Sequence, residues 1–137
     1  GNGEEDKKIK SFIKKNKLKD NIILLGYVDN IYPYFVNSKG FILTSLWEDP
    51  GFVLIEAFFC KKPILSSNSW PGPVELINHL ENGFVFENKN LESFKQKFRD
   101  FDNYKDIRLI TLNGLKTSKK FTLFSHYRNL YKILSFK

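Results

Sequence analysis

Short, continuously apolar runs alternating with amphipathic segments predict a parallel α/β sheet flanked by helices. The runs in Asn21–Gly26, Gly40–Thr44, Pro63–Ser66 and Gly83–Phe86 lack the in-out alternation of a half-exposed strand, which suits strands covered on both faces. Segments of helical spacing lie between and around them. Turn formers, above all Ser69-Trp70-Pro71-Gly72-Pro73, punctuate the sequence.

In chain order, residues 4–16 carry Ile9, Phe12 and Ile13 on one side and lysines on the other, predicting a first helix. Asn21–Gly26 reads as a buried strand stopped by glycine. Residues 30–37, rich in Tyr and Phe, read as a short helix after the turn at Val28-Asp29-Asn30. Gly40–Thr44 is a second buried strand, Phe52–Cys60 a helix, and Pro63–Ser66 a third strand. Val74–Leu80 is expected to be a short helix and Gly83–Phe86 the last strand. From Leu91 on the pattern is helical, closing with a helix over residues 121–136 that has Phe124, Tyr127, Leu130, Tyr131 and Leu134 on one stripe. That stripe suits a docking surface better than a membrane anchor.

A chain of 137 residues is about one domain, large enough to bury its own core. No apolar run approaches the roughly 20 residues of a membrane-spanning helix, and no cleavable leader pattern opens the sequence. The single cysteine, Cys60, excludes an internal disulfide, fits a reducing compartment and is expected as a buried thiol. The net charge of +7 comes mainly from lysines, among them Lys7, Lys8, Lys10, Lys14, Lys61, Lys62, Lys116, Lys119 and Lys120. Such a balance favours an anionic partner or simply a solvated surface. No zinc-finger spacing or aromatic RNA-binding strand accompanies it.

The chemistry concentrates in Trp47–Cys60. Every residue from Phe52 to Cys60 is apolar except Glu56, which shares a helix face with Val53 and Cys60 and is therefore expected to be buried. A buried carboxylate costs several kcal/mol unless it is paired or hydrogen-bonded. A second acid, Glu48, stands just ahead of the Pro50-Gly51 turn that opens the helix. Two carboxylates around a helix N-terminus, with the unpartnered amides of Phe52 and Val53 between them, suit a hydroxyl-rich ligand bearing phosphate. In parallel sheets such ligands bind beyond the carboxyl ends of the strands, where this segment falls. Asp100-Phe101-Asp102 resembles a metal-binding string but sits on an amphipathic helix far from this segment. His79 and His126 read as surface or core-edge residues, and Glu75 either as a ligand contact or as a capping or dipole partner of the helix it opens; Trp47 and Trp70 could each stack on a base or sugar, with packing favoured slightly for Trp47.

The string Ser45-Leu46-Trp47-Glu48-Asp49-Pro50-Gly51-Phe52-Val53-Leu54-Ile55-Glu56-Ala57 resembles the E-x7-E motif of glycosyltransferase family 4, retaining enzymes of the GT-B fold. Other landmarks agree in order: Gly1-Asn2-Gly3-Glu4 with a G-x-G turn, Asn21–Val28 with the strand that follows it, and Cys60-Lys61-Lys62-Pro63-Ile64 with "cGkPvv". Gly72-Pro73-Val74-Glu75, Asn82-Gly83-Phe84-Val85 and the closing helix complete the match. Lys61 stands where the family has a glycine, at the expected helix C-cap, a change that costs a little stability.

The resemblance implies a Rossmann-like, C-terminal donor-binding half of a GT-B enzyme over residues 1–137, with an acceptor domain and a leading basic segment outside them. The implied reaction transfers a sugar from a nucleotide-diphosphate donor to an acceptor hydroxyl, with retention, in bacterial polysaccharide or glycolipid synthesis. Glu48 is implied to contact the donor sugar and Glu56 the ribose. The amides of Gly51, Phe52 and Val53 are implied to meet the sugar and phosphates, and Tyr27 and Val28 to line the base pocket. No metal and no cofactor beyond the donor are expected, and these residues alone are expected to be inactive. The implied partners are an acceptor glycan or lipid-linked sugar, the missing acceptor domain and a peripheral membrane contact, without nucleic acid, at a cytoplasmic location. Two other readings stay open: a non-catalytic nucleotide-sugar binding module, and a basic α/β adaptor for nucleic acid or membranes.

Overall fold

The computed structural model describes residues 3–135. Gly1 and Asn2 of the G-x-G string and the end of the closing helix at Phe136 therefore lie outside the described residues. The chain divides into two compact units, Gly1–Ile31 and Tyr32–Lys137.

In the first unit, α1 (Asp6–Lys15) carries Asp6 in its first turn and Lys14 and Lys15 in its last, each sign at the end of the helix dipole that favours it. Ile13 is its buried residue. The apolar run that follows departs from the expected buried strand. Ile22, Ile23, Leu24 and Leu25 are all exposed, Ile23 to 78%. The amides of Asn21 and Ile22 turn back to the Leu18 carbonyl, at 3.1 and 2.9 Å. An apolar run becomes a strand only where a neighbour supplies ladder partners, and the sheet among the described residues, β1-β2-β3 in order, does not include Ile22–Leu25.

The second unit holds a three-stranded parallel sheet in the order β1 (Phe41–Leu43), β2 (Ile64–Ser67), β3 (Phe84–Phe86). Phe41 pairs with Ile64, and Leu65 with Phe84. All four residues of the central β2 are buried. β1, expected to be buried, is half-exposed, with Ile42 at 38%, because it is an edge strand covered less fully than the centre. α2 (Tyr32–Asn37) precedes β1 and its end is tied to the turn leading into β2 by Lys62, whose Nζ donates to the Val36 and Ser38 carbonyls at 2.9 and 3.0 Å.

α3 (Phe52–Phe59) links β1 to β2, and α4 (Gly72–Leu76) links β2 to β3. α4 begins earlier and ends sooner than the expected residues 74–80. The buried Asn82 accounts for the stop: its amide donates to the Leu76 carbonyl at 3.0 Å, and its Oδ1 accepts from the Asn78 N–H at 2.8 Å. α5 (Leu91–Asp102) starts at Asn90, whose side chain accepts from the Ser93 N–H. Its Phe94 and Phe101 meet Phe86 and Phe84 edge-on, with ring centroids 5.1 and 5.5 Å apart. Together with Leu65, Ile110, Tyr104 and Ile107 they form the core on that side.

α6 (Ile107–Ser118) packs on α3. A Cβ at Gly114 would stand 2.8 Å from Phe58 Cε1, so the absent side chain is what lets Phe58 bury completely. A short 3₁₀ turn (Lys119–Phe121) leads into α7 (Leu123–Ser135), whose apolar side chains are all exposed.

The end of α3 explains Lys61. The Lys61 N–H donates to the Phe58 carbonyl at 2.9 Å and the Lys62 N–H to the Ala57 carbonyl at 3.0 Å, with Lys61 at φ 53°. This is a Schellman stop whose left-handed position is filled by a residue with a Cβ. Lys61→Gly is expected to stabilise the protein by about 1 kcal/mol, the relief of that conformation offset in part by glycine's greater unfolded-state freedom. A denaturant midpoint that moves down in this variant would contradict that account.

Candidate functional site

The site stands where two adjacent parallel strands end. Residues 44–51 run from β1 to α3, and residues 68–71 from β2 to α4. The two loops are clasped together: the Gly72 N–H donates to the Glu48 carbonyl at 2.9 Å, with Glu48 and Pro71 bridged in parallel. Gly72 is buried in that clasp, and a Cβ there would lie 2.7 Å from the Pro50 oxygen and 3.0 Å from the Glu48 oxygen. Only a residue without a side chain allows the approach.

Further polar ties fix the first loop. Ser67 Oγ, buried at the end of β2, donates to the Ser45 carbonyl at 2.7 Å. Asn88 donates from its side chain to the Leu46 carbonyl at 2.9 Å and from its backbone to Asn68 Oδ1 at 2.7 Å. These supports were not anticipated from the sequence. The signal was available: Ser66, Ser67 and Ser69 are polar residues at the end of an apolar strand, and buried hydroxyls demand partners.

Glu48 is half-buried on this braced loop, and its Oε2 accepts from Ser45 Oγ at 2.9 Å. Gly51 then turns the chain into α3 with φ 82° and ψ 40°, a left-handed conformation that suits glycine, and a Cβ there would lie 3.6 Å from Glu48 Cγ and 3.3 Å from Leu54 Cδ1. No side chain caps α3. Its first-turn amides, at Phe52 and Val53, project from the positive end of the helix.

Glu56 follows one turn later, about 6 Å along the axis. It shares its stripe with Val53 and Cys60 as expected, but the stripe is the open one. Leu54, Ile55, Ala57 and Phe58 are buried, while Glu56, Val53 and Cys60 are half-buried and Phe52 and Phe59 are 66% and 41% exposed. Glu56 is therefore not a core carboxylate in need of rescue, and Cys60 is not a core thiol. Both face outward because α6 covers the other side. Trp47, expected to pack, is 67% exposed, and Trp70 is 69% exposed. The two indoles stand one residue ahead of the bridged Glu48 and Pro71.

The second unit thus brings together Glu48, Gly51, Phe52, Val53 and Glu56. Tyr27 and Val28 belong to the first unit, where Tyr27 is 76% exposed and Val28 half-buried, just after Gly26 at φ 68°. Asp100 and Asp102 do not converge: they flank Phe101, which is turned into the core, and residues two apart on a helix diverge by about 200°. Glu75 and His126 are exposed.

His79 lies elsewhere, in the connection between α4 and β3, where it is bridged to Gly83. Its Nδ1 accepts from the Val85 N–H at 3.1 Å, and Lys97 Nζ stands 3.1 Å from Nε2. Burial first, and then the Lys97 ammonium, hold its imidazole below the ordinary value of 6.5, with the Asp100 carboxylate opposing.

The family model described as "Glycosyl transferases group 1" matches residues 1–110. An uncharacterized glycosyltransferase of Haemophilus influenzae is 33% identical over 92 residues, covering 67% of this chain and 26% of that protein. The poly(ribitol-phosphate) alpha-N-acetylglucosaminyltransferase of Staphylococcus aureus is 29% identical over 103 residues, covering 75% of this chain and 21% of its own length. The chain thus spans about a quarter of these relatives. The pneumococcal O-GlcNAc transferase GtfA, solved in complex with UDP and GlcNAc, has the same fold over 98% of this chain and 29% of its own, with a TM-score of 0.81 at 16% identity.

Two outcomes follow from the geometry. Gly72→Ala is expected to destabilise the protein by about 1–3 kcal/mol, the usual cost of overpacking, as read by urea denaturation. The loop clasp is refuted as a constraint if the variant matches the parent. Because folding depresses the His79 value, its contribution to stability is complete above pH 6.5 and is lost as pH falls from there through the folded value. The protonated ring has no acceptor left for the Val85 N–H. Chemical denaturation across pH 7 to 5 should accordingly show a flatter decline in His79→Gln than in the parent.

Proposed function

The chain belongs to the group 1 glycosyl transferases, and from that membership we propose that it binds the donor in an enzyme moving a sugar from a nucleoside diphosphate to an acceptor hydroxyl, with retention. The observation that carries this reading is the arrangement of Glu48, the uncapped start of α3 and Glu56 on one open face beyond two parallel strands. In this reading the diphosphate sits at the amides of Phe52 and Val53. As the glycosyl–phosphate bond breaks, negative charge gathers on the departing diphosphate, and amide dipoles already aimed at it stabilise that charge without a metal.

Glu48, held by Ser45 and its braced backbone, orients hydroxyls of the sugar. Glu56, one turn along, accepts from the ribose hydroxyls, which its half-open position allows. Gly51 permits close approach of the donor. The staphylococcal relative's transfer of N-acetylglucosamine and the pneumococcal transferase's complex with UDP and GlcNAc support a nucleoside-diphosphate sugar as donor. A surface glycan or lipid-linked sugar, presented by an acceptor domain at the cytoplasmic face of a membrane, completes the proposal.

Calorimetric titration of the intact protein with UDP, GDP and ADP tests it. One nucleotide should bind, and Glu56→Gln should weaken it by about tenfold or more, the worth of a hydrogen bond to a charged group. Glu48→Gln should lower kcat by about a hundredfold while nucleotide affinity stays within about threefold. Undiminished nucleotide binding in Glu56→Gln would sink the donor-site assignment. Tight donor binding without turnover on any acceptor would favour a non-catalytic binding module instead.

A further inference from the structure

The net charge of +7 is not spread through the chain. Residues 1–106 carry 15 basic and 15 acidic side chains, whereas residues 107–137 carry seven basic and no acidic ones. Four of those seven converge. Lys116 at the end of α6, Lys119 and Lys120 of the 3₁₀ turn, and Arg128 of α7 line a cleft of about 360 Å³ together with Ser125 and Asn129. No carboxylate lines it.

Local hydrogen bonds fix the backbone turn that carries Lys119 and Lys120. Ser125 Oγ and Thr122 Oγ1 both donate to the Lys119 carbonyl, at 2.9 and 3.2 Å, and the Ser125 N–H donates to Thr122 Oγ1 at 3.2 Å. The 3₁₀ turn is thereby locked to the first turn of α7. Among the described residues none of the four cations has an ion-pair partner. Lys116 reaches only the neutral Asn113 Oδ1, at 3.4 Å. Gathering like charges raises the free energy of the folded state unless an anion offsets it.

We propose that this cleft binds a phosphate group, carried by an anionic lipid headgroup or free in solution. One neutral donor, the Asn129 amide, stands beside four cations, a set that matches several oxygens of one phosphate. The volume fits one headgroup or small phosphate compound. The site lies on residues that the donor-binding proposal does not use, so the two readings stand or fall separately.

The test is co-sedimentation of the intact protein with phosphatidylcholine vesicles with and without 30% phosphatidylglycerol, beside titration with inorganic phosphate. The triple change Lys119→Gln, Lys120→Gln, Arg128→Gln should weaken binding to the anionic vesicles by about tenfold or more. The equal-charge control Lys7→Gln, Lys8→Gln, Lys14→Gln on α1 should leave it within about twofold, with circular dichroism confirming that both variants fold. Binding in the vesicle arm alone assigns a lipid headgroup. Saturable phosphate binding at low millimolar concentration, lost in the cleft triple, assigns a soluble phosphate. Equal losses in both triples would show attraction by net charge and overturn the cleft, as would binding in neither arm or a preference for a duplex oligonucleotide.

Discussion

α3 is divided lengthwise, and much of the molecule depends on that division. Leu54, Ala57 and Phe58 are completely buried. Side chains the size of Leu54 and Phe58 each contribute about 1.5–3 kcal/mol through removal from water, and the Ala57 methyl about 0.8 kcal/mol. Rotating the helix about its axis would forfeit several of these contributions at once, so the helix has one available orientation. That orientation turns Phe52, Val53 and Glu56 outward together. The polar arrangement at the site is therefore maintained by apolar contacts on the far side of the same helix, and Gly114 of α6 is what makes room for them.

The loop ahead of α3 is held differently. It has little apolar burial of its own, with Trp47 exposed and Glu48 half-buried. Its backbone carbonyls at Ser45, Leu46 and Glu48 are each taken by a donor from another segment: Ser67, Asn88 and Gly72. One net hydrogen bond contributes about 1 kcal/mol, and three convergent ones define a loop conformation that composition alone leaves open. A carboxylate on such a loop loses little freedom on meeting a ligand, because its backbone is already fixed.

The parallel α/β architecture was legible because β2 and β3 are covered by helices, and covered strands carry a compositional signature. That signature does not include a partner. Ile22–Leu25 has the composition of a central strand and forms none, since ladder hydrogen bonds depend on a neighbour that no local pattern records. Glu56 shows the same limit from another side. Helical spacing correctly grouped it with Val53 and Cys60, but which face of a helix packs is decided elsewhere, here by a glycine in α6. The candidate site was legible through residue type and spacing, whereas its bracing by Ser67, Asn88 and Gly72 depends on contacts between distant segments.

The core beside β3 is built from rings, with Phe84, Phe86, Phe94, Phe101 and Tyr104 meeting edge to face. The sequence contains 14 phenylalanines and no methionine. Phenylalanine has no place on the sulfur oxidation ladder, whereas a thioether turned sulfoxide becomes polar and pushes a core apart. Within these residues peroxide meets one sulfur, the half-buried thiol of Cys60 at the end of α3, outside the packed rings. Sulfur oxidation thus has a single address here, and it lies on the surface the site shares rather than in the interior that supports it.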